Sequence, residues 1–129
     1  MKEQTHYWVS ESEEDIVTAK ILVKSGRLLE SVFFCHLALE KMLKAFIAER
    51  NNEMPPKSHN LLFLAKKSNL VKELDEETVD LIAEVQPFNI EGRYPEMRDK
   101  LYKSTTPDRF KAMVHRTEEK VKWLKEKLS

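Results

Sequence analysis

The stretch LLESVFFCHLALEKMLKAFIAER, Leu28 to Arg50, is the most apolar part of the chain and decides the fold. Val32, Phe33, Phe34, Cys35, Leu37, Ala38, Leu39, Met42, Leu43, Ala45, Phe46, Ile47 and Ala48 surround much of the circumference of one helix. A helix apolar on so many sides must be covered on several of them, as the centre of a bundle or as part of a subunit interface. Glu40, Lys41 and Lys44 make it too charged, and its apolar run too short, for a membrane span.

Upstream, Ser10 with Glu13 three residues on has the pattern of a capping box, and Ile16, Ala19 and Val23 follow at helical spacing. A first helix is therefore expected from Ser10 to Ser25-Gly26, where the glycine suits the left-handed turn after a helix. Downstream, Asn51-Asn52 and Pro55-Pro56 break the chain. Short helices are expected over Ser58 to Lys67 and Glu76 to Val85, the second ended by Pro87. Phe88 to Thr106 reads as a long loop with one helical turn near Glu96 to Leu101. The last helix has a strong start: Thr106 as cap, Pro107 in the first turn, and Asp108 at the positive helix end. Phe110, Val114, Thr117, Val121, Leu124 and Leu128 form its buried stripe, with Trp123 on the other side as a candidate partner contact. The expectation is an all-α, antiparallel up-and-down bundle of four to five helices, one domain over residues 1–129.

Composition narrows the function. Lys+Arg and Asp+Glu are both 22, so no global field of either sign marks a nucleic acid or a basic partner. Charge is nevertheless uneven: residues 73–91 are acidic without a basic residue, whereas the last third is basic. Solvated faces, pairing of the two faces between copies, or a phosphate site near Arg93 are the readings this allows. Two glycines leave no glycine-rich phosphate loop. The single Cys35 rules out an internal disulfide framework and a cysteine-rich zinc site, and fits a reducing, cytoplasmic setting. No apolar run is long enough for a membrane span, and the opening MKEQTHYW lacks a signal-peptide core.

Few residues could carry chemistry. His36, Glu40 and Lys44 recur every four residues on one arc of the central helix. They could form a hydrogen-bonded structural stripe, contact a ligand or phosphate, or, with two further ligands, hold a metal; no metal or cofactor is expected. Cys35, in an apolar run, reads as an inert buried thiol. Arg93-Tyr94-Pro95 in the long loop offers a guanidinium for phosphate and a ring for a base, or simply an anchor for the loop.

The segment His36-Leu37-Ala38-Leu39-Glu40-Lys41-Met42-Leu43-Lys44-Ala45 resembles the H-Q-A-A-E-K-x-x-K-A signature of HEPN domains. Pro55-Pro56-Lys57-Ser58-His59-Asn60-Leu61 is similar to the P-x-x-H-x-L of that family, and Arg93-Tyr94-Pro95 to its R-Y-P. Trp8 and the acidic helix ending Lys24-Ser25-Gly26-Arg27 resemble its opening, so the likeness spans nearly the whole chain. Leu37 departs from it, standing where the family commonly has Gln. The resemblance implies a helical bundle, usually a homodimer, in an intracellular setting. It implies one of two roles. The first is a nucleotide- or nucleic-acid-associated partner of a minimal nucleotidyltransferase, in a toxin–antitoxin-like pair, with His36, Lys44, Arg93 and Tyr94 as candidate ligand contacts. The second is a metal-independent ribonuclease toxin with an R-x(4–6)-H motif. Arg109-Phe110-Lys111-Ala112-Met113-Val114-His115 has that spacing, with Phe110 where a polar residue is usual. There His115 would act as general acid or base towards the ribose 2′-hydroxyl or its leaving group, and Arg109 would hold the phosphate.

Overall fold

The computed structural model describes residues 1–91 and 93–129, and among these the regular structure is helical. Six α-helices follow in order: α1 Glu3–Lys24, α2 Leu28–Asn51, α3 Leu61–Lys67, α4 Glu76–Val85, α5 Pro95–Lys103 and α6 Pro107–Leu128. Single 3-10 turns precede and follow α4, at Val71–Glu73 and Gln86–Phe88.

Three long helices make the frame. Gly26, at φ +78°, supports the tight turn that sends α2 back along α1. Thr5 Oγ1 donates to Glu49 Oε1 at 2.9 Å and Ser12 Oγ to the Ala38 carbonyl at 2.7 Å, which fixes the antiparallel register. Lys20 meets Glu118 at 2.8 Å and Lys125 meets Glu13 at 3.1 Å, so α6 also runs antiparallel to α1. The connection between α2 and α6, with three short helices, returns along the bundle and closes it.

α2 is the centre, as its all-round apolarity requires. Val32, Cys35, Ala38, Leu39, Met42, Leu43, Ala45, Phe46 and Ile47 are wholly buried. Phe33, Phe34 and Leu37 are only half-buried, so one side of α2 is incompletely covered by its own chain. α6 buries Phe110, Val114, Thr117, Val121 and Leu124 as its spacing predicts, with Met113 beside them.

Four local features differ from the sequence reading. α1 begins at Glu3 rather than Ser10, and Ser10 is an exposed mid-helix residue. The early start is held by Lys2, whose Nζ donates to the carbonyls of Ala48 and Glu49 and to Asn52 Oδ1. α3 begins at Leu61, because the Asn60 side chain accepts from the Phe63 amide and takes the cap. The stretch 88–106, in which Gly92 lies outside the described residues, contains a nine-residue helix, α5, opened by Pro95. Trp123 packs partly buried against its own core, with Lys120 and Lys127 5.4 and 4.9 Å from its ring centre. Cation–π contacts within the chain hold its ring there.

Part of the uneven charge is paired within the chain. Arg116 pairs with Glu84 at 2.5 Å, Lys120 with Asp75 at 3.0 Å and Glu77 at 3.1 Å, and Arg50 with Glu73. These pairs lie near the surface and contribute about 0–1 kcal/mol each.

Candidate functional site

The arc read on α2 is a buried ionic network. His36 is wholly buried, while Glu40 and Lys44 are 4% and 7% exposed. Glu40 Oε2 accepts from Lys44 Nζ at 3.0 Å, and Glu40 Oε1 accepts from His59 Nδ1 at 2.9 Å. The His59 ring is 58% exposed, so one carboxylate ties a buried ammonium to a surface imidazole. His36 Nε2 lies 3.0 Å from the His59 carbonyl, which assigns the proton to that nitrogen. Its Nδ1 is then an acceptor, buried without a partner and 3.9 Å from Glu40 Oε1. Burial pushes the His36 pKa down against the opposing pull of Glu40, and the ring is neutral.

Gln86 completes the arrangement. Its Nε2 donates to the His59 carbonyl at 3.1 Å and its Oε1 accepts from the Leu61 amide at 2.7 Å. The loop that carries His59 is thereby clamped between α2, α3 and the turn after α4. On the α1 side, the Trp8 ring centre lies 5.5 Å from Lys44 Nζ, and the buried indole nitrogen has no partner. Lys41, one residue beyond Glu40, pairs with Asp15 at 2.8 Å. Burial raises the Asp15 pKa above its ordinary value of 3.8, and Lys41 opposes that shift.

Gln86 also lines an open groove of about 560 Å³ between α3 and α4, with Asn60, Leu62, Val79, Ile82, Ala83, Pro87 and Arg93. Arg93 is exposed at this groove and donates Nε to the Asn89 carbonyl at 2.9 Å. Tyr94, 79% exposed at the start of α5, is not part of the lining.

The sequence-derived candidates therefore fall in three places. His36 and Lys44 belong to the buried network, where their polar groups face protein. Arg93 belongs to the groove, with Tyr94 next to it in sequence. Arg109 and His115 both lie exposed on α6. Six residues apart on a regular helix, they are about 9 Å apart along the axis and about 120° around it. His115 Nε2 is 2.9 Å from Glu119 Oε1, and no hydrogen bond or ion pair among the described residues joins Arg109 or His115 to the network. Lys20, Lys24 and Lys111 line a small cleft with His115. Gln86 and Asn60 carried no sequence signal, since a lone amide before a proline or after a histidine has no distinctive pattern.

Cys35 is fully buried and its thiol is pushed up to about 12 by burial. No group of three or more His, Cys, Asp or Glu side chains among the described residues could hold a metal ion. No helix among them is long and apolar enough to cross a membrane.

The fold and site define a helical bundle in which a buried His–Glu–Lys network braces an open surface groove. The HEPN domain family matches residues 5–128, nearly the whole length, and the chain belongs to that family. Membership supports a nucleotide- or RNA-associated function. No curated protein and no solved structure matches the chain significantly.

Proposed function

We propose that this HEPN protein is the nucleotide- or nucleic-acid-associated partner of a minimal nucleotidyltransferase, a cytoplasmic homodimer in a toxin–antitoxin-like pair, without catalytic activity of its own. The observation that carries this reading is the family match over residues 5–128, which supports nucleotide or RNA association; within one copy the separation of Arg109 and His115 on α6, with His115 tied to Glu119, weighs against catalysis. A general acid–base residue and its phosphate-holding arginine must meet around one reacting phosphate, and this spacing on one helix does not bring them together. The half-buried Phe33, Phe34 and Leu37 of α2 support the homodimer, because they line an open cleft that a second copy could cover.

Co-expression with a minimal nucleotidyltransferase tests the partner role. A complex of fixed stoichiometry that survives gel filtration is the expected result. Separate elution at micromolar concentration would count against it.

The second reading is the ribonuclease toxin using Arg109 and His115. It is favoured by one feature: Lys24 and Lys111 share a cleft with His115, beside the Lys20–Glu118 pair, and could bind an RNA backbone. A second copy would have to complete the site, and cleavage would have to depend on His115.

A further inference from the structure

α5 buries no residue, unlike the other five helices. Its outer side is nevertheless patterned. Tyr94, Met97 and Lys100 follow at three-residue steps, so two apolar side chains and an ammonium line one flank. Tyr94 is 79% and Met97 44% exposed. Lys103 is taken by Asp99, whereas Lys100 has no ion pair among the described residues. A short helix that leaves its apolar flank open is suited to a groove between two other helices.

A groove of matching pattern lies beside it. The groove between α3 and α4, about 560 Å³, is lined at one end by Arg93, two residues before α5 begins. Val79, Ile82 and Ala83 of α4, with Leu62 of α3 and Pro87, make it apolar. Glu76 precedes Val79 by three residues and Asp80 precedes Ala83 by three, so both carboxylates run along the groove's outer edge. Asp75 and Glu77 are engaged by Lys120, and Glu84 by Arg116. Glu76 and Asp80 have no ion pair among the described residues, so the edge is acidic where α5 is basic.

We propose that α5 of a second copy fills this groove, reciprocally, so that each copy's α5 lies along the other's α4. The proposal rests on the homodimer reading above and gives that dimer a surface. A two-fold axis near Arg93 brings the second α5 in from the Pro87 end, antiparallel to α4. Met97 of the partner subunit then meets Ala83, and Lys100 of the partner subunit meets Asp80. On each helix the two positions are three residues, about 4.5 Å, apart, so one register makes both contacts. Near the axis each Arg93 is held back by its own Asn89 carbonyl at 2.9 Å. Glu96 of the partner subunit, in the first turn of α5, supplies its counter-charge. Arg98 of α5 lines the cleft that holds Phe33, Phe34 and Leu37, so groove, helix and cleft form one continuous face.

The test is interchain disulfide formation by the full chain at micromolar concentration, with sedimentation equilibrium alongside. Ala83→Cys and Met97→Cys change exposed positions, and the native Cys35 is buried. Mixed together, the two variants should give a cross-linked pair on a non-reducing gel. Neither should do so alone, because like positions lie apart across the axis. Asp80→Lys should raise the dimer dissociation constant about tenfold, since the like charges meet at two equivalent places. Adding Lys100→Asp should return it to within about threefold of the wild type. The cross-link does not depend on the charge variants, whose folding is checked by circular dichroism. A wild-type dimer whose mixed variants fail to cross-link, or whose charge reversal is neutral or not rescued, overturns the proposal and leaves the homodimer on another face. A wild-type monomer at micromolar concentration overturns both.

Discussion

Replacing Glu40 by leucine removes the carboxylate that accepts from both Lys44 Nζ, at 3.0 Å, and His59 Nδ1, at 2.9 Å. The Lys44 side chain is only 8% exposed, so its ammonium would lose its counter-charge where water reaches it poorly. Breaking a buried ion pair from one side costs roughly 3–5 kcal/mol. Lys44→Met removes the cation and leaves Glu40 its bond from His59, a smaller loss of about 1–3 kcal/mol. In the double variant both charges are gone, and apolar replacement of a buried pair is often close to neutral. His59, more than half exposed, can turn its ring nitrogen to water. The singles sum to about 4–8 kcal/mol, and the double variant should fall well short of that sum. Urea denaturation followed by far-UV circular dichroism measures all four proteins. Against a usual total of about 5–15 kcal/mol, the loss in Glu40→Leu is large and readily resolved. A cost below about 1 kcal/mol for Glu40→Leu, or strict additivity of the singles, would refute the network as a coupled buried unit.

Other expectations follow from individual residues. Cys35, with its thiol at about 12, should resist thiol reagents in the folded protein at mildly alkaline pH and react on unfolding; fast native labelling would contradict its burial. His36 is neutral when folded, its pKa lowered from 6.5 by burial, so the unfolded chain binds the extra proton below that pH. Stability should fall as pH drops below 6.5, with a slope of up to about 1.4 kcal/mol per pH unit that His36→Gln removes. Asp75, held at about 2 chiefly by the Thr78 hydroxyl, adds a second loss only between its ordinary value of 3.8 and about 2. Gly26→Ala should cost about 1 kcal/mol, purely from the positive φ, because an added Cβ meets nothing within 4 Å; an unchanged midpoint in urea would count against that turn.

The elements that were legible announced themselves chemically. Thr106-Pro107 marked the start of α6, and its side chain does accept from the Arg109 amide. The apolar girth of α2 demanded a central position and received it. The early turns of α1 were hidden because one of their inward positions is Thr5, a polar residue whose hydroxyl is satisfied across the helix pair. α5 was hidden because it buries no residue and so carries no stripe. At the site, the helical spacing of His36, Glu40 and Lys44 was readable. Their burial depends on His59 and Gln86 closing over them from distant parts of the chain, which local spacing cannot reveal. The groove is equally non-local, since its lining comes from three separate segments.

The most direct measurement is cleavage of a mixed RNA pool, with metal chelated, by the wild-type protein and by His115→Ala prepared identically. A contaminating ribonuclease would cut equally in both samples. A partner protein without catalytic activity of its own predicts no cleavage that depends on His115. Cleavage by the wild type alone would contradict it and make Arg109 and His115 a working site.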